Sequence, residues 1–269
     1  MNSQPESKEP EIDFMPLWDG LRHELKDSDR YLVSFPRSGR TWTTRVFRIA
    51  RLLDASDPWP EHDEIKAMLG PPSASAYNLN RAGPGWKNPL QEDGCLNYLI
   101  THTWTGLCPS ARGPHVYLIR RPDDVLVSYY HFAIRKGHID ERETSLSEFA
   151  WGNLPWWIDH AKTAIRHLEN SSRTCPAWAL ISYEGLLKSP FSNFLRLADR
   201  FELGVSEPAL RHALEFLTPA VMRETIKGFP MLDSRSGRGA KDLPWRIKAK
   251  IRKTAMPLYH SALEFEQAW

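Results

Sequence analysis

Apolar runs that close on turn signals alternate along this chain with stretches whose apolar residues recur every three or four positions. That alternation predicts strands and helices in turn. The first run, Arg30 to Ser34, reads as a strand. It leads through Phe35-Pro36-Arg37-Ser38-Gly39 into a helix from about Thr41 to Leu53, with Trp42, Val46, Ile49 and Leu53 at helical spacing. Strands are expected near Asn97 to Thr101 and Val116 to Ile119, then a helix from about Pro122 to Arg135, where Pro122 suits an early helical position. Pro155 to Glu169 and Pro190 to Phe201 read as helices flanking a strand at Ala177 to Ser182. The order strand, helix, strand, strand, helix, helix, strand, helix predicts an α/β fold with a central parallel sheet flanked by helices. Ligands of such sheets gather at the carboxyl ends of the strands, and Arg37, His102, Arg120 and Tyr183 all fall at or just past predicted strand ends.

Residues 54 to 95 break the periodicity. Asp57-Pro58-Trp59-Pro60, Gly70-Pro71-Pro72 and the run from Gly83 to Pro89 read as turns and loops around at most a short helix. A long irregular insertion in a compact domain tends to be functional, so this stretch is expected to gate a site. The polar, proline-containing start predicts a flexible tail over residues 1 to 12, leaving 13 to 269 as one domain.

Composition narrows the function classes. Hydrophobic residues at 41% and charged residues at 25% are ordinary for a globular enzyme. A net charge of +2 is too mild to argue for nucleic acid as the main partner, and no apolar run approaches the length of a membrane span. The three cysteines, Cys95, Cys108 and Cys175, are odd in number and widely spaced, which indicates neither a zinc site nor a disulfide framework. With no secretory signal in the first residues, a reducing, cytoplasmic setting is the expectation.

The chemistry concentrates in Tyr31 to Trp42, a strand running into a tight turn and then a helix start. Backbone N–H groups in such a turn converge on one spot, and the helix dipole favours an anion there. Pro36 and Gly39 shape the turn, Ser38 and Thr41 add hydroxyl donors, and Arg37 and Arg40 add positive charge. Against the Walker A pattern, Gly39 and Thr41 are kept, while Ser34 replaces the first glycine and Arg40 the lysine. The loop is therefore P-loop-like without being a standard nucleoside triphosphate loop.

Phe35-Pro36-Arg37-Ser38-Gly39-Arg40-Thr41-Trp42 resembles the 5′-phosphosulfate loop of sulfotransferases that use 3′-phosphoadenosine 5′-phosphosulfate (PAPS). The block from His115 to Phe132 is similar to that family's 3′-phosphate segment, in which an Arg ends a strand and a Ser follows eight residues later on a helix. Leu99-Ile100-Thr101-His102 resembles the strand end carrying the family's catalytic histidine, and Ile181-Ser182-Tyr183-Glu184 resembles its Tyr-Glu-Asp strand end. Pro155 to His160 is similar to an acceptor-side segment, and Arg235-Ser236-Gly237-Arg238-Gly239 stands where the family often has Arg-Lys-Gly-x-x-Gly-Asp-Trp. There is no match to the dimer motif of cytosolic members, and oligomeric state stays open.

The resemblance implies a P-loop NTPase-like sulfotransferase fold and transfer of a sulfuryl group to a hydroxyl of a small-molecule or glycan acceptor, with adenosine 3′,5′-bisphosphate as product and no metal. It implies that His102 is the general base and that Arg37 stabilises charge on the departing phosphate. Ser38, Gly39, Arg40, Thr41 and Trp42 would hold the 5′ side and the adenine, with Tyr183 reaching the adenine from the other side. Arg120 and Ser128 would hold the 3′-phosphate, and Arg235 and Gly237 would be further cofactor-binding residues. Arg40 departs from the family's usual Thr or Asn, and Pro219 stands where an adenine-stacking aromatic is common. Arginine suits an electrostatic role because it donates several hydrogen bonds and keeps its proton. A neutral histidine suits proton abstraction near physiological pH. Arg121 competes with Arg120, and His131 and His160 with His102. Eleven tryptophans suit an aromatic or amphipathic acceptor or a sugar face. A P-loop kinase and a non-catalytic nucleotide or polyanion binder are the alternative readings.

Overall fold

The computed structural model describes residues 30–68, 77–78, 98–101, 113–170, 178–218, 221–222 and 239–266. Along the chain run β1 (Arg30–Ser34), α1 (Arg40–Asp54), α2 (His62–Met68), β2 (Tyr77–Asn78), β3 (Tyr98–Thr101), β4 (His115–Ile119), α3 (Pro122–Arg135) and α4 (Leu146–Asn170). They are followed by β5 (Trp178–Ser182), α5 (Tyr183–Lys188), α6 (Pro190–Arg200), α7 (Glu207–Phe216), α8 (Gly239–Asp242), α9 (Trp245–Thr254) and α10 (Met256–Glu266).

The five strands form one sheet in the order β2-β3-β1-β4-β5, and every pairing is parallel. Parallel strands need crossovers that lay helices on the faces, and β1 and β4 are buried along their whole length, as such coverage requires. Alternation divides the sheet residues between two cores. Tyr31, Val33, Tyr117, Ile119 and Leu180 pack with apolar residues of α3, α4, α9 and α10. Leu32, Val116, Leu118, Ala179 and Ile181 pack with those of α1, α6 and α7. Each large apolar side chain buried this way contributes roughly 1.5–3 kcal/mol relative to exposure. The chain leaves β3 on one side of β1 and resumes at β4 on the other, so a crevice opens beyond the carboxyl ends of β1 and β4.

The expected strands, and the helices after β1 and β4, are present within two residues. The helix expected from Pro155 instead begins at Leu146, with Pro155 inside it. Ser145 and Glu148 explain the difference. The Ser145 hydroxyl accepts from the Glu148 N–H at 3.2 Å, and the Glu148 carboxylate accepts from the Ser145 N–H at 2.9 Å. This capping box starts the helix ahead of the proline, which then costs only local ladder hydrogen bonding. No expectation covers β2, α5, α7, α8 or α10. Two residues are too few for a strand pattern, whereas α7 carries a legible start: the Ser206 hydroxyl accepts from the Ala209 N–H at 3.3 Å. The tail expected over residues 1–12 and most of the irregular segment expected over 54–95 lie outside the described residues. Among the described residues, no helix is long and apolar enough to cross a membrane.

Candidate active site

β1 delivers the chain to the crevice, and the turn after it reverses through two left-handed residues, Arg37 at φ 70° and Gly39 at φ 105°. Gly39 is needed there twice over. Its backbone region disfavours a side chain, and a Cβ at this position would collide with the Tyr183 ring. The turn is closed by the Ser38 N–H donating to the Phe35 carbonyl at 3.3 Å, and Gly39 caps α1 by accepting from the N–H groups of Trp42 and Thr43 at 3.0 and 3.2 Å. The first N–H groups of a helix lack intrahelical acceptors, and the first turn of α1 contains no acidic residue, so this helix end favours an anion. The Ser38 hydroxyl is buried beside it without a hydrogen-bond partner among the described residues.

β4 delivers a second cation to the same point. Arg120 donates from Nη1 to the Arg37 carbonyl at 3.1 Å, and its guanidinium lies over the Tyr183 ring at 4.5 Å, with Nε buried and unpartnered among the described residues. Arg37 in turn donates from Nε to the Ser128 hydroxyl on α3 at 3.3 Å and covers the Phe132 ring at 5.0 Å. Arg121, the competing assignment, is bound elsewhere: both its Nε and Nη2 donate to the Asp123 carboxylate, at 3.1 and 2.7 Å. Tyr183 opens α5 directly after β5 and is buried, so its ring is a floor between Gly39 and Arg120. Trp42 meets Tyr183 and Phe194 edge-on, at 6.2 and 5.0 Å, and is half-buried.

The electrostatics fit an anion. Burial, followed by the charges of Arg135, Arg120 and Arg40, pushes the Arg37 guanidinium down to about 9. Burial raises the Tyr183 phenol, and Arg120 works against it. The unpartnered Ser38 hydroxyl and Arg120 Nε, the helix start and the clustered guanidinium groups are what phosphate groups require, so the residues present fit a phosphorylated nucleotide.

An aromatic wall adjoins this cradle. Phe35 packs on Trp156 at 4.5 Å, on His160 at 5.7 Å and edge-on to Tyr129 at 6.1 Å. His160 is buried, with its Nδ1 2.9 Å from the Tyr117 hydroxyl. His131 sits on α3 beside Tyr130, with its ring titration lowered by burial and by Arg135. Thus the structure brings together Arg37, Ser38, Gly39, Arg40, Thr41, Trp42, Arg120, Ser128 and Tyr183. His102, Arg235 and Gly237 lie outside the described residues, as does Pro219. β3 ends at Thr101, paired with Val33 of β1. Sequence reasoning missed Phe132 and Arg135; their spacing of four and seven residues from Ser128 places all three on one stripe of α3.

A model of the sulfotransferase domain matches residues 27–268. The chain belongs to the sulfotransferase family. The chain is 25% identical to mouse (Mus musculus) sulfotransferase 2B1 over 77% of its length, and 26% identical to the 3-beta-hydroxysteroid sulfotransferase of Cavia porcellus over 61%. It is 20% identical to an amine sulfotransferase of Oryctolagus cuniculus over 68%. The matches span 60%, 55% and 59% of those relatives' lengths. Among solved structures, retinol dehydratase in complex with retinol and PAP superposes with a TM-score of 0.67 at 15% identity, covering 91% of this chain and 86% of that one. Mouse sulfotransferase SULT7A1 complexed with PAP gives 0.57 at 13% identity, covering 91% and 88%. At those identities the likeness establishes the fold, an α/β sheet with its helices placed as in these enzymes.

Proposed function

We propose that this sulfotransferase moves a sulfuryl group from PAPS to a hydroxyl of a small-molecule or glycan acceptor. The observation that carries the reading is the joint made by Arg37, which donates to Ser128 while accepting from Arg120. It fastens the turn after β1 to the helix start after β4, the two segments that resemble the 5′- and 3′-phosphate sites.

When bound, PAPS would supply a sulfuryl group on a phosphate leaving group. Ser38, Thr41 and the α1 N–H groups would hold the 5′ side, while Arg120 and Ser128 would hold the 3′-phosphate. Arg37 would meet the negative charge that grows as the bond from sulfur to the bridging oxygen breaks. His102 would take the acceptor's proton as its oxygen forms the new bond to sulfur, so the electron pair leaves with the phosphate and the proton ends on the imidazole. In-line placement of the acceptor is the main task left to the protein. The neutral ring of His102 also suits an amine, the second reading, which the rabbit amine sulfotransferase supports. One domain in a cytoplasmic setting, acting without a metal, belongs to the same proposal.

Calorimetry with adenosine 3′,5′-bisphosphate against ATP tests it. The bisphosphate is expected to bind tightly and ATP poorly, because ATP lacks the 3′-phosphate. Equal affinities would overturn the donor assignment, and turnover abolished by EDTA and restored by magnesium would favour a kinase.

A further inference from the structure

Both chain neighbours of Tyr183 are held by one helix. The residue before it, Ser182, donates its N–H to Glu266 Oε1 at 2.8 Å and its hydroxyl to Glu266 Oε2 at 2.7 Å. The residue after it, Glu184, accepts at Oε2 from the Tyr259 hydroxyl at 2.8 Å. Tyr259 and Glu266 both belong to α10, and a separation of two helical turns puts them on one stripe of that helix.

Gly185 makes room for this grip. A Cβ there would lie 2.6 Å from Glu266 Oε1 and 2.8 Å from Ser182 Oγ, so a side chain at 185 would displace the carboxylate. The Tyr-Glu-Asp strand end that this segment resembles has its Asp at that position. Here the position carries no side chain, and a carboxylate from α10 takes the space.

The gripped segment bears on Arg120 at two points. The Tyr183 ring lies under the Arg120 guanidinium at 4.5 Å, and Glu184 Oε1 accepts from the N–H of Arg121, the next residue along, at 3.2 Å. Tyr183 and Glu184 therefore set both the ring beneath the Arg120 side chain and the backbone that carries it. Burial pushes the Glu184 carboxyl up, and hydrogen bonds, that from Tyr259 foremost, work against it. Removing the Tyr259 hydroxyl would leave a half-buried acceptor oxygen without its donor.

We propose that Tyr259 and Glu266 are positioning residues for the donor's 3′-phosphate, acting from α10 through Ser182 and Glu184 on Arg120. The inference rests on the donor reading above, in which Arg120 binds that phosphate. Neither residue is itself a phosphate ligand.

The test is a double-mutant cycle on the full chain, read by calorimetric titration with adenosine 3′,5′-bisphosphate. Tyr259→Phe keeps the ring in the core and removes only the hydroxyl. It is expected to weaken binding about threefold to tenfold, the scale of one hydrogen bond, and Glu266→Ala is expected to do the same. In an Arg120→Ala background both changes should cost nothing further, because the group they position is gone. A purely structural role would lower the denaturant midpoint and leave the affinity of the folded protein alone. Wild-type affinity in both variants, or losses that persist undiminished in the Arg120→Ala background, would overturn the proposal while leaving the donor reading intact. If one variant does not fold, the other carries the same two comparisons. Failure of the wild-type chain to bind the bisphosphate would overturn the donor reading and this inference with it.

Discussion

Arg120 donates to the backbone carbonyl of Arg37 at 3.1 Å, so the cation at the end of β4 fixes the shape of the turn at the end of β1. One residue thereby serves the cradle in two ways, as a positive charge and as a brace for the left-handed Arg37.

That dual role predicts a loss larger at Arg120 than at its neighbour. Arg120→Ala should weaken bisphosphate binding by on the order of 1.5–3 kcal/mol, the range for hydrogen bonds to charged groups. Arg121→Ala should leave the affinity near wild type, because Arg121 is committed to Asp123. Calorimetry on both variants decides it, and the reverse ranking would give the 3′-phosphate to Arg121.

The crowding of the Arg37 guanidinium predicts a share in anion binding. Burial and the charges of Arg135, Arg120 and Arg40 disfavour its charged form in the free protein. A bound anion offsets that cost, so Arg37→Met should weaken bisphosphate binding by on the order of 1.5–3 kcal/mol. Calorimetry on the variant checks it, and wild-type affinity would remove Arg37 from the donor site.

Gly39→Ala should damage the cradle without touching any phosphate ligand. The added Cβ meets the Tyr183 ring and forces a side chain to φ 105°. The expected cost is on the order of 1–3 kcal/mol from the backbone conformation alone. Denaturant unfolding with parallel bisphosphate titration should show both stability and affinity reduced. An unchanged midpoint would mean that the turn accommodates a side chain.

The parts of the fold that the sequence made legible are those where local chemistry and tertiary demand coincide. Arg30 to Ser34 is apolar enough for a buried strand, and Gly39 and Pro122 mark helix starts that the structure keeps. Pro155 misled because a proline near a predicted start outweighed the pairing of Ser145 and Glu148, which lie ten and seven residues earlier, a signal present in the sequence and strong enough to begin the helix. The residues proposed to bind the phosphates could be picked out because they cluster in two short segments. The stripe from Ser128 to Arg135 could not be aimed at Arg37 without knowing that β4 lies beside β1. The same holds for His160, whose contact with Tyr117 joins residues 43 positions apart.

His115 predicts acid sensitivity at the opposite end of the sheet. Its ring is stacked between Tyr31 at 4.3 Å and Trp178 at 4.4 Å and is buried. Burial first, then the charges of His167 and Arg200, hold it down at about 3, against the support of the Gly113 backbone. A histidine whose folded value lies below its unfolded one contributes its full stability above about 6.5, and that contribution is lost progressively as pH falls from there through 3. The full linkage is on the order of 3–5 kcal/mol. His115→Phe keeps the ring stack and removes the titration, so its unfolding free energy should fall less between pH 7 and pH 4.5 than that of wild type. Parallel slopes would locate the acid sensitivity elsewhere.

His102 decides whether binding and chemistry separate. The phosphates are assigned to Ser38, Thr41, Arg120 and Ser128, and none of those roles involves the segment after β3. His102→Ala should therefore keep the wild-type affinity for adenosine 3′,5′-bisphosphate. Loss of proton abstraction should cut turnover by roughly 10²–10⁴-fold. Only the neutral ring accepts a proton, so the wild-type rate should decline as pH drops through the histidine's titration, which lies near 6.5 when unperturbed. In the variant that limb should vanish along with most of the rate. The measurement is sulfuryl transfer from labelled PAPS to a responsive acceptor across pH 5 to 8, a range chosen to bracket that titration, with bisphosphate affinity followed on the same protein. Near wild-type turnover would move the base to His160, whose ring nitrogen already meets the Tyr117 hydroxyl at 2.9 Å. Loss of both turnover and binding would make His102 a structural residue of the cradle.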